Sequence, residues 1–543
     1  MAKMRVAIVG AGPSGITAVK ICHDYGFEPI CFERGDDIGG LWCYQDEVIE
    51  GRGSVMKSTI INTSKEMTAF SDFPPRNEVA NFMHNTELMK YFREYVAAFN
   101  IKQHIVFHTE VTKIEKTDNH DATGEWIVMT ENLRTKKKSS LVVQAVFLCS
   151  GHHGSPYIPE LKGLQTSFEG QFMHSHTYRT PKGFENKRVL VVGFGNSAMD
   201  IATELSRQAN KVFLSTRRGG WTFGRTFHCG YPYDILLLNR FCFMIMKYFP
   251  SFASRYVEFY LNARFDHALY GIRPEYGVFQ AHPTLSDDLP SRITSAALVV
   301  KPDVSSFTKT GVVFTDGSEE DNIDVVILCT GYQITFPYLD SETIFVNNNN
   351  VQLYKYMYAS HLPHPETMAV IGLVQPWGSI MPISEMQCRV ACHLLAGFAQ
   401  LPSRQEMEMD ACRTQDDLRR RYVRSPRHTV QVDYIPYMDQ LSKIIGAKPN
   451  PWHYAFSDPL LALYIFLGPC TPYQYRLQGP HTWNGARKAV VEVWDRIRCP
   501  YKTRRPAINK STFDIFTIPR KLFLLLLIMF FTPLWLHFLL MAL

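Results

Sequence analysis

Two short glycine patterns are where this chain first shows a capacity for chemistry. Gly10-x-Gly12-x-x-Gly15, in "AIVGAGPSGI", and Gly193-x-Gly195-x-x-Ala198, in "VVGFGNSAMD", each follow an apolar run and open a helix-like pattern. In such a loop the first glycine permits a sharp turn and the second lets backbone approach a phosphate. The third lets the helix pack closely on the strand. The helix N-terminus then meets the anion with free N–H groups and the positive end of its dipole. Each loop reads as a dinucleotide pyrophosphate site, with Pro13 and Ser14 in the first and Asn196 and Ser197 in the second. Ala198 adds one methyl at the packing contact, an accepted variant.

The residues that follow separate the two ligands. The strand "EPICFER" delivers Glu33 about 20 residues into the unit, where a carboxylate accepts hydrogen bonds from a ribose 2'-hydroxyl and repels a 2'-phosphate. The strand "KVFLSTRR" delivers Ser215, Thr216, Arg217 and Arg218 at the matching distance, and two guanidinium groups there can grip a 2'-phosphate. The first loop suits FAD or NAD, and the second suits NADP. NADPH beside a flavin implies hydride transfer, after which the reduced ring needs an acceptor: a disulfide, a quinone, a redox protein or dioxygen. Cys22, Cys31 and Cys43 lack the spacing of a redox pair, which favours dioxygen.

These loops need parallel sheets behind them. "AVFLCSG" closes at Gly151 and "VVILCTG" closes at Gly331 just after Thr330, each a buried-looking strand ending on a small residue and glycine. The expected fold is therefore α/β, with two Rossmann-like dinucleotide-binding domains, the second inserted in the first, plus a C-terminal membrane helix. The expected boundaries are 1–155 for the first part of the FAD domain, 156–332 for the NADPH domain with an apolar insertion at about 219–295, 333–445 for the rest of the FAD domain, 446–517 for a C-terminal extension and 518–543 for the tail. "IVFHTEVTKIEKTDNHDATGEWIVMTENL" reads as a small meander within the first unit.

Bulk properties agree with a folded, multi-domain chain: 543 residues, 46% hydrophobic, 20% charged and a net charge of +6. No basic-aromatic array of the kind single-stranded nucleic acid requires is present, so a nucleic-acid partner is not expected. The twelve cysteines are scattered without a CxxC or a Cys/His zinc spacing, which points to reduced thiols and no metal. Cys388 and Cys392, at i and i+4, read as the core face of a helix. The strand "MRVAIVG" begins at once, so no leader is expected.

Two apolar stretches point to a membrane. Leu522 to Leu543 carries no Asp, Glu, Lys or Arg, and at about 1.5 Å per residue it makes roughly 33 Å of helix, enough to span a bilayer. Arg504, Arg505, Arg520 and Lys521 precede it and keep the folded body on the cytosolic side. "YDILLLNRFCFMIMKYF", from Tyr233 to Phe249, is interrupted by Asn239, Arg240 and Lys247, which excludes a clean span. The stretch at 233–262 is a monotopic helix, a lid over a substrate tunnel, or an ordinary core helix pair.

Between the loops lies "FEGQFMHSHTY", which is Phe168-x-Gly170-x-x-x-His174-x-x-x-Tyr178. This resembles the identifying fingerprint of the flavin-containing monooxygenases, and "CFERGDDIGGLW", "NTSKEM", "FLSTRRG", "CTGY" and "LGPCTPYQYR" extend the resemblance to the microsomal members over essentially the whole chain. Within the family it is most similar to form five, through "RFDHALYGIRPEYGVFQAHPTLSDDLPSRI" and "RYVRSPRHTVQVDYIPYM".

The resemblance implies FAD and NADPH as cofactors, dioxygen and small lipophilic molecules as substrates, and an endoplasmic reticulum membrane location. Self-association is left open. It implies flavin contacts for Gly40, Leu41, Trp42 and Thr63, and places Asn62 beside the flavin C4a position, where its amide can hydrogen-bond a peroxide. NADPH positions fall on Gly193, Gly195, Ser197, Arg217 and Arg218, although Ala198 stands where glycine is more usual. The implied cycle forms a C4a-hydroperoxyflavin that oxygenates soft nitrogen or sulfur nucleophiles or, deprotonated, inserts oxygen beside a ketone carbonyl. Tyr178 stands where the Baeyer-Villiger family usually has Trp, which favours heteroatom oxygenation. His282 is shared with form five, whose members are associated with ketone oxygenation, so ester or lactone formation is expected to be prominent. The alternatives are an NADPH oxidase releasing hydrogen peroxide and a non-catalytic membrane-bound nucleotide sensor.

Overall fold

Ten parallel strands set the frame of the protein. In chain order they are β1 (Arg5–Val9), β2 (Glu28–Phe32), β3 (Ile105–Val106), β4 (Ala145–Leu148), β5 (Gln171–His174), β6 (Arg188–Val192), β7 (Lys211–Ser215), β8 (Leu298–Lys301), β9 (Val325–Leu328) and β10 (Met368–Val370). The structure, a computed structural model, describes residues 3–504.

The strands form two five-stranded sheets that share the order of four strands and differ in the edge strand, which comes last in the chain in the first sheet and first in the second. One runs β10-β4-β1-β2-β3 and the other β5-β9-β6-β7-β8. All strands of the second sheet fall between residues 171 and 328, while the first sheet takes four strands from before that span and one from after it. The central strands are fully apolar, as sheets covered on both faces require: Val6, Ala7, Ile8, Val189, Leu190 and Val191 have no exposed surface. Of the stretch expected as a meander, Ile105–Val106 instead joins the parallel sheet as β3, while Thr109–Lys116 and Trp126–Asn132 pair antiparallel and are completed by Lys138–Val143 beyond it.

Each first strand turns through glycine into a helix, α1 (Pro13–Asp24) and α2 (Asn196–Leu205). Gly10 has φ +95° and Gly193 φ +126°, a left-handed backbone that disfavours any side chain. The two turns differ at their third position. A Cβ on Gly15 would lie 1.8 Å from the Gly10 carbonyl oxygen, so only glycine fits. The corresponding Ala198 is accommodated with its side chain fully buried.

The middle of the apolar insertion is three consecutive helices, α3 (Tyr233–Leu237), α4 (Arg240–Tyr248) and α5 (Pro250–Arg264). Asn239 caps α4 by accepting from the Cys242 N–H at 2.8 Å, which explains why polar residues break the apolar run there. Another long helix, α6 (Ile380–Leu395), lies against α1 and places Cys388 and Cys392 in the core. Cys392 Sγ is 3.7 Å from Cys22 Sγ, and all twelve thiols are free.

The chain divides into two units, Met1–Ile497 and Arg498–Leu543. The described part of the second includes one short turn, Cys499–Tyr501. Among the described residues no helix is long and apolar enough to cross a membrane. The expected tail helix at 518–543, with Arg505, Arg520 and Lys521, lies outside the described residues.

Candidate functional site

Both glycine loops present backbone to a phosphate-sized ligand. A Cβ on Gly12 would come no closer than 3.7 Å to protein, so nothing in the chain itself demands glycine there. The demand fits a ligand lying against the backbone. The Gly40–Trp42 turn faces this loop, since a Cβ on Gly40 would lie 3.1 Å from the Gly12 Cα. Glu33, at the end of β2, accepts from the Ala11 N–H at 2.8 Å and the Gly35 N–H at 2.7 Å. Its carboxylate is thereby fixed beside the loop with lone pairs left for ribose hydroxyls. Leu41 carries the backbone carbonyl that accepts from Val55 N–H, and Trp42 packs on the main core. The Ser14 hydroxyl donates to Ser384 at 2.9 Å, which turns it toward α6.

Beyond the second loop opens a cleft of about 1150 Å³, lined by Thr216, Arg217, Arg218, Arg273, Tyr276, Lys301 and Arg424 among others. Lys301 is held by Glu320 at 2.8 Å, whereas none of the four arginines has an ion-pair partner among the described residues. Four uncompensated guanidinium groups fit a 2'-phosphate well. Arg273 and Arg424 come from distant parts of the chain and carry no local sequence signal. Ser215 and Thr216 serve the loop itself: Ser215 donates to the Pro302 carbonyl at 2.6 Å and Thr216 accepts from the Gly219 N–H at 3.0 Å. Thr330 donates its hydroxyl to the Tyr157 carbonyl and so ties two connecting segments together. Ser197 is exposed, and Asn196 Oδ1 accepts from the Leu285 N–H at 2.9 Å.

The strip from Ile60 to Thr68 is clamped from every side. Thr63 and Thr68 pair their hydroxyls at 2.8 Å. Lys65 is wholly buried and donates to the carbonyls of Asn77 at 2.5 Å and Val79 at 2.9 Å. Glu66, also wholly buried, accepts from Tyr473 Oη at 2.7 Å and Arg496 Nε at 3.0 Å. Lys65 and Glu66 of "NTSKEM" are thus buried anchors, Asn62 and Thr63 stay half-buried, and segment 446–497 supplies two partners of Glu66. From the insertion, Tyr233 Oη donates to the Asn62 carbonyl at 3.2 Å and Asp234 accepts from the Ser64 N–H at 2.6 Å. Asn62 Oδ1 accepts from Arg225 Nη2 at 2.8 Å. Sequence reading missed Arg225, Tyr233 and Asp234, since nothing in one chain says that the insertion reaches this strip.

His282 belongs to a different cluster. Its Nδ1 accepts from Gln431 Nε2 at 2.6 Å and its backbone N–H donates to His428 Nε2 at 3.4 Å. Burial, then Arg427 and His428, push its pKa down to about 3, so it is neutral at any working pH. The Arg427 Nη2 lies 3.0 Å from where a Gly195 Cβ would be, which places this cluster over the second glycine loop. Asn62 and His282 are held by separate networks, one on the strip and one over the second glycine loop.

Next to Tyr233 is an apolar cavity of about 270 Å³, lined by Phe223, Leu237, Phe243, Met246, Phe252, Tyr256, Phe279, Trp377 and Tyr434 among others. The Arg421–Asp433 ion pair, at 2.5 and 3.0 Å, forms its one charged patch. The charged stretch "RTQDDLRRRY" contributes its final arginine, Arg421, to the cavity wall.

The fingerprint residues are structural. Phe168 packs on Phe307 at 5.4 Å, and a Cβ on Gly170 would meet that phenyl ring at 2.4 Å and the Asp324 carbonyl at 2.9 Å. His174 ends β5 with its ring edge on Tyr332, 5.3 Å away, and Tyr178 donates to Glu204 on α2 at 2.6 Å.

Two Rossmann-type sheets, each with a phosphate-type glycine loop, one aimed at a ribose acid and the other at an arginine cleft, define a dinucleotide-dependent flavoprotein oxidoreductase class. The family model for flavin-binding monooxygenase-like proteins matches residues 3–536. Human flavin-containing monooxygenase 5 is 46% identical over 521 residues, covering 95% of this chain and 97% of the relative. The structure of S-allyl-L-cysteine S-oxygenase from Allium sativum superposes with a TM-score of 0.62 at 22% identity, covering 84% of this chain and 94% of that one. Cyclohexanone-bound cyclohexanone monooxygenase gives 0.59 at 16% identity over 82% and 98%. The chain belongs to the flavin-containing monooxygenase family and is an enzyme of that family.

Asp234 makes the site pH-sensitive. Burial pushes its carboxyl up to about 6 from an ordinary 3.8, against the pull of the Ser64 and Ile235 N–H groups. A pKa raised on folding stabilises the fold below the unfolded value and loses that contribution as pH rises through 6. Between pH 8 and pH 4 wild type should therefore gain stability relative to Asp234→Asn by up to about 3 kcal/mol. A difference in melting temperature that stays constant with pH would show that Asp234 titrates normally.

Proposed function

We propose that the protein is an NADPH- and dioxygen-dependent monooxygenase of small lipophilic substrates, acting on ketones to give esters or lactones and on soft nitrogen and sulfur centres. The observation that carries this reading is the contact between cavity and strip: Tyr233 lines the apolar cavity and donates to the Asn62 carbonyl at 3.2 Å. A substrate held by the cavity is therefore delivered next to Asn62. Bound FAD, reduced by NADPH, would supply dioxygen activation and the transfer of one oxygen atom.

The chain's own residues divide that work. In this reading residues 1–155 with 333–445 hold FAD through Gly10, Gly12, Pro13, Gly15, Glu33 and the Gly40–Trp42 turn. Residues 156–332 hold NADPH through Gly193, Gly195, Asn196 and the arginine cleft. Asn62 offers its amide to the oxygenating centre, and His282 stands as a neutral hydrogen-bond donor over the second loop. The cavity excludes water, which favours transfer to substrate over release of hydrogen peroxide. The resemblance to a ketone-binding and a sulfur-oxygenating fold is consistent with both substrate classes.

Membrane attachment belongs to the same proposal. Segment 522–543 would anchor the protein in the endoplasmic reticulum with its body on the cytosolic side. The insertion adds a second contact, because Phe249 and Phe259 are 64% and 74% exposed and Phe456 is 99% exposed. Phe241 on α4 meets Phe466 in the helix Pro459–Leu467 at 6.1 Å, joining these apolar surfaces. Exposed aromatic clusters of this size fit a bilayer interface, and the cavity wall shares Phe252 and Tyr256 with that face.

Three measurements test the reading. Purified full-length enzyme with NADPH and dioxygen should convert an aliphatic ketone to its ester and a thioether to its sulfoxide, and Asn62→Ala should divert NADPH oxidation into hydrogen peroxide. Untouched ketones beside oxidised thioethers would remove the ketone emphasis, and peroxide equal to NADPH consumed whatever the substrate would make the protein an oxidase. Replacing Arg217 and Arg218 by Ala should raise KM for NADPH roughly tenfold per guanidinium while sparing NADH, and Arg273→Ala should add to it; equal effects on both cofactors would remove the phosphate clamp. The full chain should float with phospholipid vesicles, and a chain ending at residue 517 should float weakly until Phe249→Ser and Phe259→Ser abolish it. A truncated chain that never floats would remove the insertion from the membrane contact.

A further inference from the structure

Arg225 is the residue outside the glycine loops whose bonds meet most closely on the candidate chemistry. Its Nη2 donates to Asn62 Oδ1 at 2.8 Å, its Nε to the Ile61 carbonyl at 3.3 Å and Nη2 also to the Ile60 carbonyl at 3.4 Å. Asp287 holds it from the far side: Nη1 donates to Oδ2 at 3.1 Å, and the Arg225 N–H donates to Oδ1 at 3.0 Å. The Arg225 side chain is only 15% exposed, whereas Asp287 on its far side is 43% exposed, so the bond to Asn62 is the better shielded one.

A guanidinium has donors and no acceptor, whereas an asparagine amide has one acceptor end and one donor end. The end of Asn62 that faces Arg225 must therefore be the oxygen. Flipping the amide would set N–H against N–H and leave a charged donor unmatched. The orientation of the Asn62 Nδ2 donor is thus decided by Arg225, and a freely rotating amide would present oxygen part of the time.

The hold on Asn62 also reaches the second glycine loop. Thr284 Oγ1 donates to the Phe194 carbonyl at 3.0 Å, and the Leu285 N–H donates to Asn196 Oδ1 at 2.9 Å. Ser286 N–H donates to the Phe223 carbonyl at 2.9 Å, two residues before Arg225. Asp287 follows directly and is also near Arg264 Nη2 at 3.8 Å. Asp200 on α2 stands within electrostatic reach of Arg225; its carboxyl is pushed up to about 6 by burial, with Arg225 pulling it down.

We propose that Arg225 is the positioning residue that fixes the Asn62 amide with Nδ2 as its outward donor, and that the segment Thr284–Asp287 transmits this hold from the second glycine loop. The proposal rests on the reading of Asn62 given above, and the two fail differently.

The test is a double-mutant cycle read as hydrogen peroxide released per NADPH consumed, with the full-length enzyme and a thioether substrate. Asn62→Ala and Arg225→Ala should each raise the peroxide fraction roughly tenfold, with the double variant no worse than Asn62→Ala alone. Arg225→Lys, which keeps the charge and loses the fork, should fall between wild type and Arg225→Ala. A peroxide fraction unchanged in Arg225→Ala while Asn62→Ala raises it, or effects that multiply in the double variant, would overturn the positioning role and leave Asn62 standing. An Asn62→Ala variant that behaves as wild type would overturn the reading of Asn62 and this inference with it. Independently of turnover, a crystal structure of Arg225→Ala should show the Asn62 side chain leaving its present rotamer, and an unmoved side chain would overturn the proposal. Should Arg225→Ala fail to fold, Arg225→Lys and Asp287→Asn carry the same two readouts.

Discussion

The constraint on which the rest of the site depends is the immobilisation of a short strip, residues 60–68, a loop that ends in the single helical turn Lys65–Thr68. An irregular segment has no ladder to satisfy its backbone groups, and buried polar groups left unpaired cost about 1–3 kcal/mol each. Here the partners come from elsewhere in the sequence: Tyr233 and Asp234 from the insertion, Arg225 from the segment after β7, and Tyr473 and Arg496 from the region beyond residue 446. Lys65 and Glu66 are charges with no exposed surface; Lys65 is met by backbone carbonyls, and one carboxylate oxygen of Glu66 is met by Tyr473 and Arg496. The strip is held because segments far apart in the first unit converge on it.

That arrangement explains an asymmetry between the two glycine units. The first unit is closed tightly, with Gly15 pressed against the Gly10 carbonyl and Glu33 tied to the loop backbone. The second has room for the Ala198 methyl and opens onto a wide cleft edged by unpaired arginines. A ligand kept throughout turnover suits the first geometry, and a ligand that is exchanged suits the second.

Much of the frame was legible in the sequence because its signals are local. A strand, a glycine turn and a helix occupy about 30 consecutive residues, and β1-α1-β2 and β6-α2-β7 repeat that pattern with the acid or the arginines at the expected place. The endings at Gly151 and Gly331 follow β4 and β9, and the first sheet takes its last strand, β10, from beyond them. What stayed hidden is long-range. Arg225 and Asn62 are 163 positions apart, and Glu66 and Tyr473 are 407 apart, so no periodicity joins them. Ser14, Ser215, Thr216 and Thr330 carried the right residue types for ligand contacts, yet their hydroxyls are spent on Ser384, Gly219 and backbone carbonyls.

His282 shows how local bonding limits what a suggestive residue can do. Gln431 presents an amide N–H to Nδ1, so Nδ1 is the acceptor and the ring proton sits on Nε2. Burial, with Arg427 and His428 close by, pushes its pKa down to about 3, which keeps the imidazole neutral near pH 7. General acid catalysis by an imidazolium is therefore outside its reach, whereas a fixed neutral donor at Nε2 is within it. A neutral donor can orient a carbonyl or amide oxygen without adding charge beside the second glycine loop, where Arg427 already supplies it. The influence of His282 on substrate choice would then act through hydrogen-bond geometry, and it would leave the pH profile to other groups such as Asp234.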